Sequence, residues 1–229
     1  MTNGVELVVV ATADDVAREV ADRLAHAART RGHIALTGGT TPEHAYQLAA
    51  KHEGDWSNVE LWWSDERCVA PDDERSNYGL AKRTLIDNLK TAPRAVHRIK
   101  GELGKDEAAA DYERELGNTE FDLELLGVGP DGHVASLFPN APTLQEQTRR
   151  VVSAEPGLEP FVDRVSLSLP ALRSARQIVF ALAGAGKADV ARRAFASEPG
   201  PQTPASLLRA VNGTTVAILD RAAAAELPA

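Results

Sequence analysis

The 229-residue sequence has a single cysteine, Cys68, which excludes an internal disulfide and a metal site made only of cysteines. It has no run of lysines or arginines, and 25 basic against 33 acidic residues give a formal net charge of −8. A protein with this charge repels nucleic-acid backbones and anionic membrane surfaces overall. No stretch of the sequence approaches the roughly 18 consecutive apolar residues that cross a bilayer.

The segment Met1–Glu6 also lacks the basic-then-apolar pattern of a signal peptide. These absences, with cysteine usage that fits a reducing compartment, predict a soluble cytoplasmic protein that binds no nucleic acid and no membrane. Hydrophobic residues at 43 % and charged residues at 25 % are ordinary for a globular protein and exclude disordered and collagen-like classes. The length favours a single domain over residues 1–229. The oligomeric state stays open between a monomer and a small homo-oligomer.

Short apolar runs alternate with amphipathic segments along the chain. The first run, Val5–Ala11, precedes apolar residues at helical spacing as far as Arg31. Further strands are predicted at Ile34–Leu36, Val59–Trp63, Phe121–Val128, Arg164–Leu169, Gln177–Ala183 and Thr214–Leu219. Further helices are predicted at Glu43–Ala50, from the cap Ser76 through Leu89, at Glu107–Leu116, at Lys187–Ala196 and around Ala205–Ala210. This alternation favours an α/β, Rossmann-like three-layer fold with a mostly parallel central sheet flanked by helices.

One stretch, Pro139–Asp163, shows little periodicity and is interrupted by three further prolines. It is predicted to be a surface excursion rather than a linker between domains.

Ligands of a parallel sheet bind beyond the carboxyl ends of its strands, so the segments that follow strands are candidate sites. The first is the turn Gly38–Pro42, which leaves a strand and opens a helix that has Pro42 at its first position. The residues that can bind an anion there through backbone amides, hydroxyls and the helix dipole are Gly38, Gly39, Thr40 and Thr41. A plain strand-to-helix turn with a threonine cap is the alternative.

Three basic residues at predicted element boundaries can bind an anion: Arg67, Arg164 and Lys187. Arg67 can hold a phosphate or carboxylate in a bidentate fork, with Asp65 or Glu66 fixing its direction. Lys187 ends Gly184-Ala185-Gly186-Lys187, which lacks the spacing of a nucleotide P-loop. Ordinary exposed charges are the alternative interpretation of these residues.

The segment Gly127–His133 follows a predicted strand and has glycines at the spacing of the dinucleotide fingerprint. That interpretation is rejected because Pro139 ends any following helix within two turns. Asp131, two residues before His133, indicates instead a carboxylate beside an imidazole, which is how a general base is oriented. A turn histidine bonded to backbone is the alternative. The other histidines are predicted on water-facing helix surfaces or away from any motif: His26, His33, His44, His52 and His97.

Taken in order, these segments resemble the lactonase branch of the glucosamine-6-phosphate isomerase/6-phosphogluconolactonase superfamily, over nearly the whole chain. The segments that carry the resemblance are Gly38–Pro42, Ser64–Arg67, Ser76–Tyr78, Gly127–His133, Ser136–Pro139, Arg164–Ser166 and Gly184–Lys187. The sister deaminases have a phenylalanine-asparagine-glutamate-proline element where this chain has Ser136–Pro139. Ser166 stands where the family more often has threonine.

The resemblance implies hydrolysis of 6-phospho-D-glucono-1,5-lactone to 6-phospho-D-gluconate in the oxidative pentose phosphate pathway, without metal or organic cofactor. It implies that His133 is the general base for water and that Asp131 orients its ring. It implies that the phosphorylated sugar lactone is bound by Gly38, Gly39, Thr40, Thr41, Asp65, Arg67, Arg164 and Lys187. Which cation faces the phosphate and which the oxyanion stays open.

Two other functions compete with the lactonase. An aldose–ketose isomerase or amino-sugar phosphate deaminase on the same fold would need an enolising base, and the deaminase glutamate element is missing. A non-catalytic phosphosugar sensor, like the effector domains of some transcriptional regulators, would be attached to a helix-turn-helix segment or basic patch, which this sequence lacks.

Overall fold

The computed structural model describes residues 4–30, 32–52 and 54–228. Its strands are β1 (Glu6–Val10), β2 (Gly32–Leu36), β3 (Val59–Trp63), β4 (Asp65–Arg67), β5 (Ala95–Val96), β6 (Leu123–Leu126), β7 (Val151–Ala154), β8 (Arg164–Leu167), β9 (Gln177–Leu182) and β10 (Thr214–Asp220). Its α-helices are α1 (Ala13–Thr30), α2 (Thr40–Ala49), α3 (Asn77–Thr84), α4 (Lys105–Leu116), α5 (Leu169–Arg173) and α6 (Ala188–Phe195). In the described ranges, no helix combines the length and apolarity needed to cross a membrane.

The central sheet has seven strands in the order β1-β10-β9-β6-β2-β3-β5. Every neighbouring pair in it is parallel, which confirms the mostly parallel α/β fold predicted from the sequence. Its middle strands β9, β6, β2 and β3 are buried along most of their length, because helices cover the sheet on its faces. The carboxyl ends of these four strands therefore lie side by side at one edge of the sheet.

A second, antiparallel sheet with the order β4-β8-β7 was missed by the sequence analysis. The extended segment predicted at Arg164–Leu169 becomes β8 of this sheet. The stretch Pro139–Asp163 was predicted to be a surface excursion, and this was wrong where β7 forms, since three of the four residues of β7 are buried. Both partners of β8 have only three or four residues, and β4 is made of charged residues, so neither has the apolar run by which a buried strand is recognised.

Several predicted helix boundaries were also wrong. Helix α2 begins at Thr40, so Pro42 is its third residue and not its first. Gly39 adopts a φ of 114°, which lets the chain enter the helix earlier, and a proline within the first turn removes only an N–H that lacks an intrahelical acceptor. Ser76 does cap α3, but that helix stops at Thr84. Arg31, the predicted end of the first helix, lies outside the described residues.

Two buried tyrosines hold the chain where central strands end. The Tyr46 hydroxyl accepts from the Thr37 N–H at 3.0 Å and donates to the Thr37 carbonyl at 2.7 Å, just beyond β2. The Tyr112 hydroxyl makes the same pair of bonds with Trp63, at 2.9 and 3.0 Å, at the end of β3. Backbone N–H and carbonyl groups at a buried strand end need such hydrogen-bond partners, since an unpaired buried polar group is costly.

Replacing Tyr112 by phenylalanine tests this role of the hydroxyl. Tyr112→Phe leaves the N–H and the carbonyl of Trp63 without partners, so we expect the free energy of unfolding to fall by about 1–3 kcal/mol. Urea denaturation monitored by circular dichroism measures it. The matched control is Tyr78→Phe, a half-buried tyrosine, which should change the free energy by less than about 0.5 kcal/mol. Equal stability of the two variants would show that the strand end is held by other contacts.

Candidate active site

A cleft of about 230 Å³ opens at the edge where β9, β6, β2 and β3 end. Nine of the sequence-predicted site residues line it: Gly38, Gly39, Thr40, Thr41, Asp65, Arg67, His133, Arg164 and Lys187. The tenth, Asp131, lies behind the ring of His133 and contacts it directly. The parallel sheet thus brings together residues that are up to about 150 positions apart in the chain.

His133 and Asp131 form a close pair at the end of β6. The Nδ1 atom of His133 lies 2.6 Å from Oδ1 of Asp131, and the same oxygen accepts from the His133 N–H at 3.1 Å. Burial by itself raises the pKa of Asp131, but these hydrogen bonds and the charge of the ring outweigh it and lower the pKa. An ionised carboxylate only accepts hydrogen bonds, so Nδ1 is the nitrogen that donates to Asp131, and in the neutral ring Nε2 is then the nitrogen with a free lone pair.

The glycines of this loop are needed for the pair to form. A Cβ on Gly129 would lie 2.0 Å from Nδ1 of His133 and 2.8 Å from Oδ1 of Asp131. Gly132 has a φ of 98°, a conformation that side-chain-bearing residues rarely adopt. The turn is closed by the Gly129 N–H, which donates to the His133 carbonyl at 2.9 Å. The glycine spacing that matches the dinucleotide fingerprint therefore allows a tight turn around the imidazole of His133.

One wall of the cleft is formed by the start of α2. Gly39 is its N-cap and supplies no side chain, and no described side chain caps the helix. The amides of a first helical turn have no intrahelical acceptors, and the dipole gives this end a partial positive charge. The hydroxyls of Thr40 and Thr41 line the same wall. This helix end can therefore bind an anionic group of a ligand.

Two arginines face each other across the β4–β8 pair. Arg67 and Arg164 are direct partners in the antiparallel register. Arg164 is 3 % exposed, and its Nη2 donates to the carbonyls of Leu158 and Pro160, both at 3.1 Å. Burial, and then the neighbouring charge of Arg67, lower the pKa of Arg164. The buried Nε atoms of both arginines have no partner among the described residues, and an anion bound in the cleft beside the two guanidinium groups would offset their repulsion.

Lys187 approaches the cleft from the side of the His133 loop. Its ammonium donates to the carbonyl of Val128 at 2.5 Å. Burial lowers the pKa of Lys187, and the carboxylate of Asp131 acts in the opposite direction. The cleft of this negatively charged protein therefore has three cations around it and is locally positive.

A buried polar network connects these walls, and its extent is not apparent from the sequence. Glu66 accepts four hydrogen bonds, from the N–H groups of Arg67, Asn77 and Tyr78 and from the Ser76 hydroxyl, at 2.7 to 2.9 Å. Although these donors favour the ionised form, burial raises the pKa of Glu66. The carboxylate thereby fixes β4, and with it Arg67, to the start of α3.

Asp65 and Asn77 extend this network to the floor of the cleft. Asp65 accepts from the Ser136 hydroxyl at 2.6 Å and from the Asn77 amide at 3.0 Å. Asn77 lines the cleft, and its buried Oδ1 has no partner among the described residues. A Cβ on Gly38 would lie 2.0 Å from that oxygen. Asn77 was missed because an asparagine beside a serine cap indicates a helix start, and only the fold brings it against Gly38.

The five remaining histidines are absent from the cleft lining. His97 stacks on Trp62 with ring centroids 3.8 Å apart, and its two nitrogens lie 2.7 Å from Glu115 and 2.9 Å from Glu60. Its neighbour His33 accepts from the Trp62 indole at 3.0 Å. Among the described residues, no group of three histidine, cysteine or acidic side chains could hold a metal ion.

Comparisons with known proteins agree on one family. Residues 8–217 match the model of the glucosamine-6-phosphate isomerases/6-phosphogluconolactonase family. A 6-phosphogluconolactonase of Streptomyces coelicolor is 36 % identical over 242 aligned residues, which cover 97 % of this chain and 92 % of the relative. One from Mycobacterium leprae is 37 % identical over 217 residues, covering 88 % and 87 %. The crystal structure of the devB protein superposes with a TM-score of 0.89 at 33 % identity and covers 98 % of this chain and 100 % of its own.

Substituting the two loop glycines separately tests the close approach to His133. Gly129→Ala places a methyl group within 2.0 Å of the ring, so we expect the pair to separate and the free energy of unfolding to fall by about 1–3 kcal/mol. Gly127→Ala is the matched control, because a Cβ there meets nothing within 4 Å and φ is not positive.

The readouts are urea denaturation and the NMR signal of the imidazole Nδ1 proton. The control should keep that signal and change the free energy by no more than about 1 kcal/mol, in the stabilising direction. An unchanged Nδ1 signal in Gly129→Ala would contradict the close approach.

Proposed function

The chain belongs to the glucosamine-6-phosphate isomerase/6-phosphogluconolactonase family, and on this premise we propose that it hydrolyses 6-phospho-D-glucono-1,5-lactone to 6-phospho-D-gluconate. The observation that carries the proposal is the His133–Asp131 pair, 2.6 Å apart, in a cleft lined by three cations. The relatives from Streptomyces coelicolor and Mycobacterium leprae bear the name of this lactonase. The reaction would serve the oxidative pentose phosphate pathway in the cytoplasm.

Attack on the lactone begins with His133 as general base. Its Nε2 takes a proton from water while the water oxygen bonds to C1 of the lactone, and the carbonyl π electrons move to the oxygen as an oxyanion. The intermediate collapses when the C1 to ring-oxygen bond breaks and the proton on Nε2 passes to the leaving ring oxygen. The ring opens to a carboxylic acid, which ionises at neutral pH. General-base catalysis of this kind contributes roughly 10²–10⁴-fold.

Asp131 supports both proton transfers without touching the substrate. Its carboxylate accepts the Nδ1 proton, which keeps Nε2 as the basic nitrogen and fixes the orientation of the ring. It also stabilises the imidazolium that exists between the two transfers, as the third member of a catalytic triad does.

The phosphate group of the substrate is assigned to the part of the cleft that is lined by Arg67, Arg164 and the start of α2. Arg67 and Arg164 offer unpartnered Nε donors from opposite strands, and the amides at the start of α2 add a third direction. A phosphate dianion can accept from all of them and cancel the repulsion between the two arginines. Lys187, beside the His133 loop, adds positive potential at the end where the oxyanion develops.

Replacing the general base tests the reaction itself. We expect His133→Ala to lower kcat by roughly 10²–10⁴-fold with little change in KM, since the ring contributes to proton transfer more than to binding. The measurement is acid release from freshly generated 6-phosphogluconolactone, with excess chelator, against spontaneous hydrolysis. His26→Ala, an exposed histidine on α1, should match the wild type. Equal rates for His133→Ala and wild type would overturn the mechanism, and no acceleration by the wild type would overturn the function.

Replacing Arg67 tests the phosphate assignment. Arg67→Met removes one charged donor, so we expect KM for the phosphorylated lactone to rise about 10- to 100-fold, equivalent to about 1.5–3 kcal/mol. With unphosphorylated glucono-1,5-lactone the variant should equal the wild type. Arg75→Met is the matched control, because the Arg75 side chain pairs with Asp73 and only its backbone carbonyl contacts Arg67. An equal loss on both lactones would place Arg67 at the reacting carbonyl instead.

A further inference from the structure

Arg193, on α6, lies outside the cleft but contacts the loop that carries His133. Its Nη2 donates to the Pro130 carbonyl at 2.8 Å, and its Nη1 donates to the Asp131 carbonyl at 3.2 Å. Nη1 also donates to the Thr203 hydroxyl at 3.1 Å. One guanidinium therefore connects a helix, the two residues at the tip of the loop and the turn that follows α6.

The guanidinium is itself held in a fixed plane. Its Nε donates to Oδ2 of Asp189, one helical turn earlier, at 2.8 Å. A planar fork with one edge bound to a carboxylate presents its remaining donors in fixed directions, which a flexible ammonium would not do. The Nη1 and Nη2 donors of Arg193 therefore reach the carbonyls of the loop in fixed directions.

The loop packs closely against this support. A Cβ on Gly132 would lie 3.1 Å from Nη1 of Arg193 and 2.9 Å from Cγ2 of Thr203. The Ala205 N–H donates to the Gly132 carbonyl at 3.1 Å. The side of the loop that faces away from the cleft is therefore held by α6 and residues 203–205, while its other side presents His133 to the cleft.

We propose that Arg193 is a positioning residue, which fixes the backbone of Pro130 and Asp131 so that the Asp131 carboxylate stays against Nδ1 of His133. The pair sits on the backbone of a glycine-rich turn, and displacements of about 1 Å in a catalytic group can cost about 100-fold in rate. The kinetic consequence rests on the proposed function, whereas the structural consequence does not.

Arg192 provides a matched control on the same helix. It also pairs with Asp189, through Nη2 at 2.6 Å, and with Glu226 at 3.4 Å. It makes neither of the loop contacts of Arg193. An exposed ion pair of this kind contributes little. Any effect that is specific to Arg193 therefore comes from its contacts with the loop and with Thr203, and not from the loss of a positive charge on α6.

The first test needs no substrate. Amide hydrogen exchange of residues 129–137, followed by mass spectrometry, should become at least about tenfold faster in Arg193→Ala and stay at the wild-type rate in Arg192→Ala. Arg193→Lys keeps the charge but not the fork, and should give intermediate exchange. Amide exchange in helix α1, which packs against another part of the sheet, should be the same in all variants if they are folded. Unchanged exchange of residues 129–137 in Arg193→Ala would overturn the proposal.

The second test uses acid release from 6-phosphogluconolactone. Arg193→Ala should lower kcat by roughly 10- to 100-fold and leave KM within about twofold, because phosphate is bound by other segments. Guanidinium chloride at tens of millimolar should restore part of the rate in Arg193→Ala, and none in His133→Ala. Faster exchange with an undiminished kcat, or an equal fall in Arg192→Ala, would overturn the positioning role. If the wild type were inactive, the proposed function would be contradicted. The exchange result alone would then decide whether Arg193 holds the loop.

Discussion

The parallel hydrogen-bond register of four central strands is the constraint on which the rest of the structure depends. Because β9, β6, β2 and β3 run side by side in one direction, the segments that follow them emerge at the same edge of the sheet. Those segments carry a helix start, charged residues, an imidazole and a lysine. An antiparallel sheet would have sent neighbouring segments to opposite edges, and no common cleft would have formed.

The local charge at this edge of the sheet is opposite in sign to the net charge of the whole molecule. The chain has a net charge of −8, yet three cations and an uncapped helix start line one small cleft. Arg164 and Lys187 are buried or half-buried, so their charges are incompletely solvated and burial lowers the pKa of both. Under the proposed function, a dianionic ligand would be the partner of these charges and would offset the free-energy cost of burying them.

Two kinds of support keep the reactive groups in place. Buried carboxylates act within the cleft walls, where Glu66 holds β4 to α3 and Asp65 connects Asn77 with Ser136. Backbone carbonyls are held from outside, where Arg193 binds the tip of the His133 loop. The loop needs this external contact because glycines, which permit the close approach of Asp131 to the ring, provide no side chains to stiffen it.

Sequence alone determined the α/β class, most of the central strands and the candidate residues, because apolar periodicity and strand-end motifs are local signals. It did not reveal the small antiparallel sheet, since Asp65–Arg67 is charged and is recognisable as a strand only beside Arg164–Leu167. It equally left Asn77 and Arg193 unidentified, because each acts through residues far away in the chain. The tertiary structure decided which of these side chains make direct contact, because contacts between distant segments depend on the order of the strands in the sheet, which no local pattern encodes.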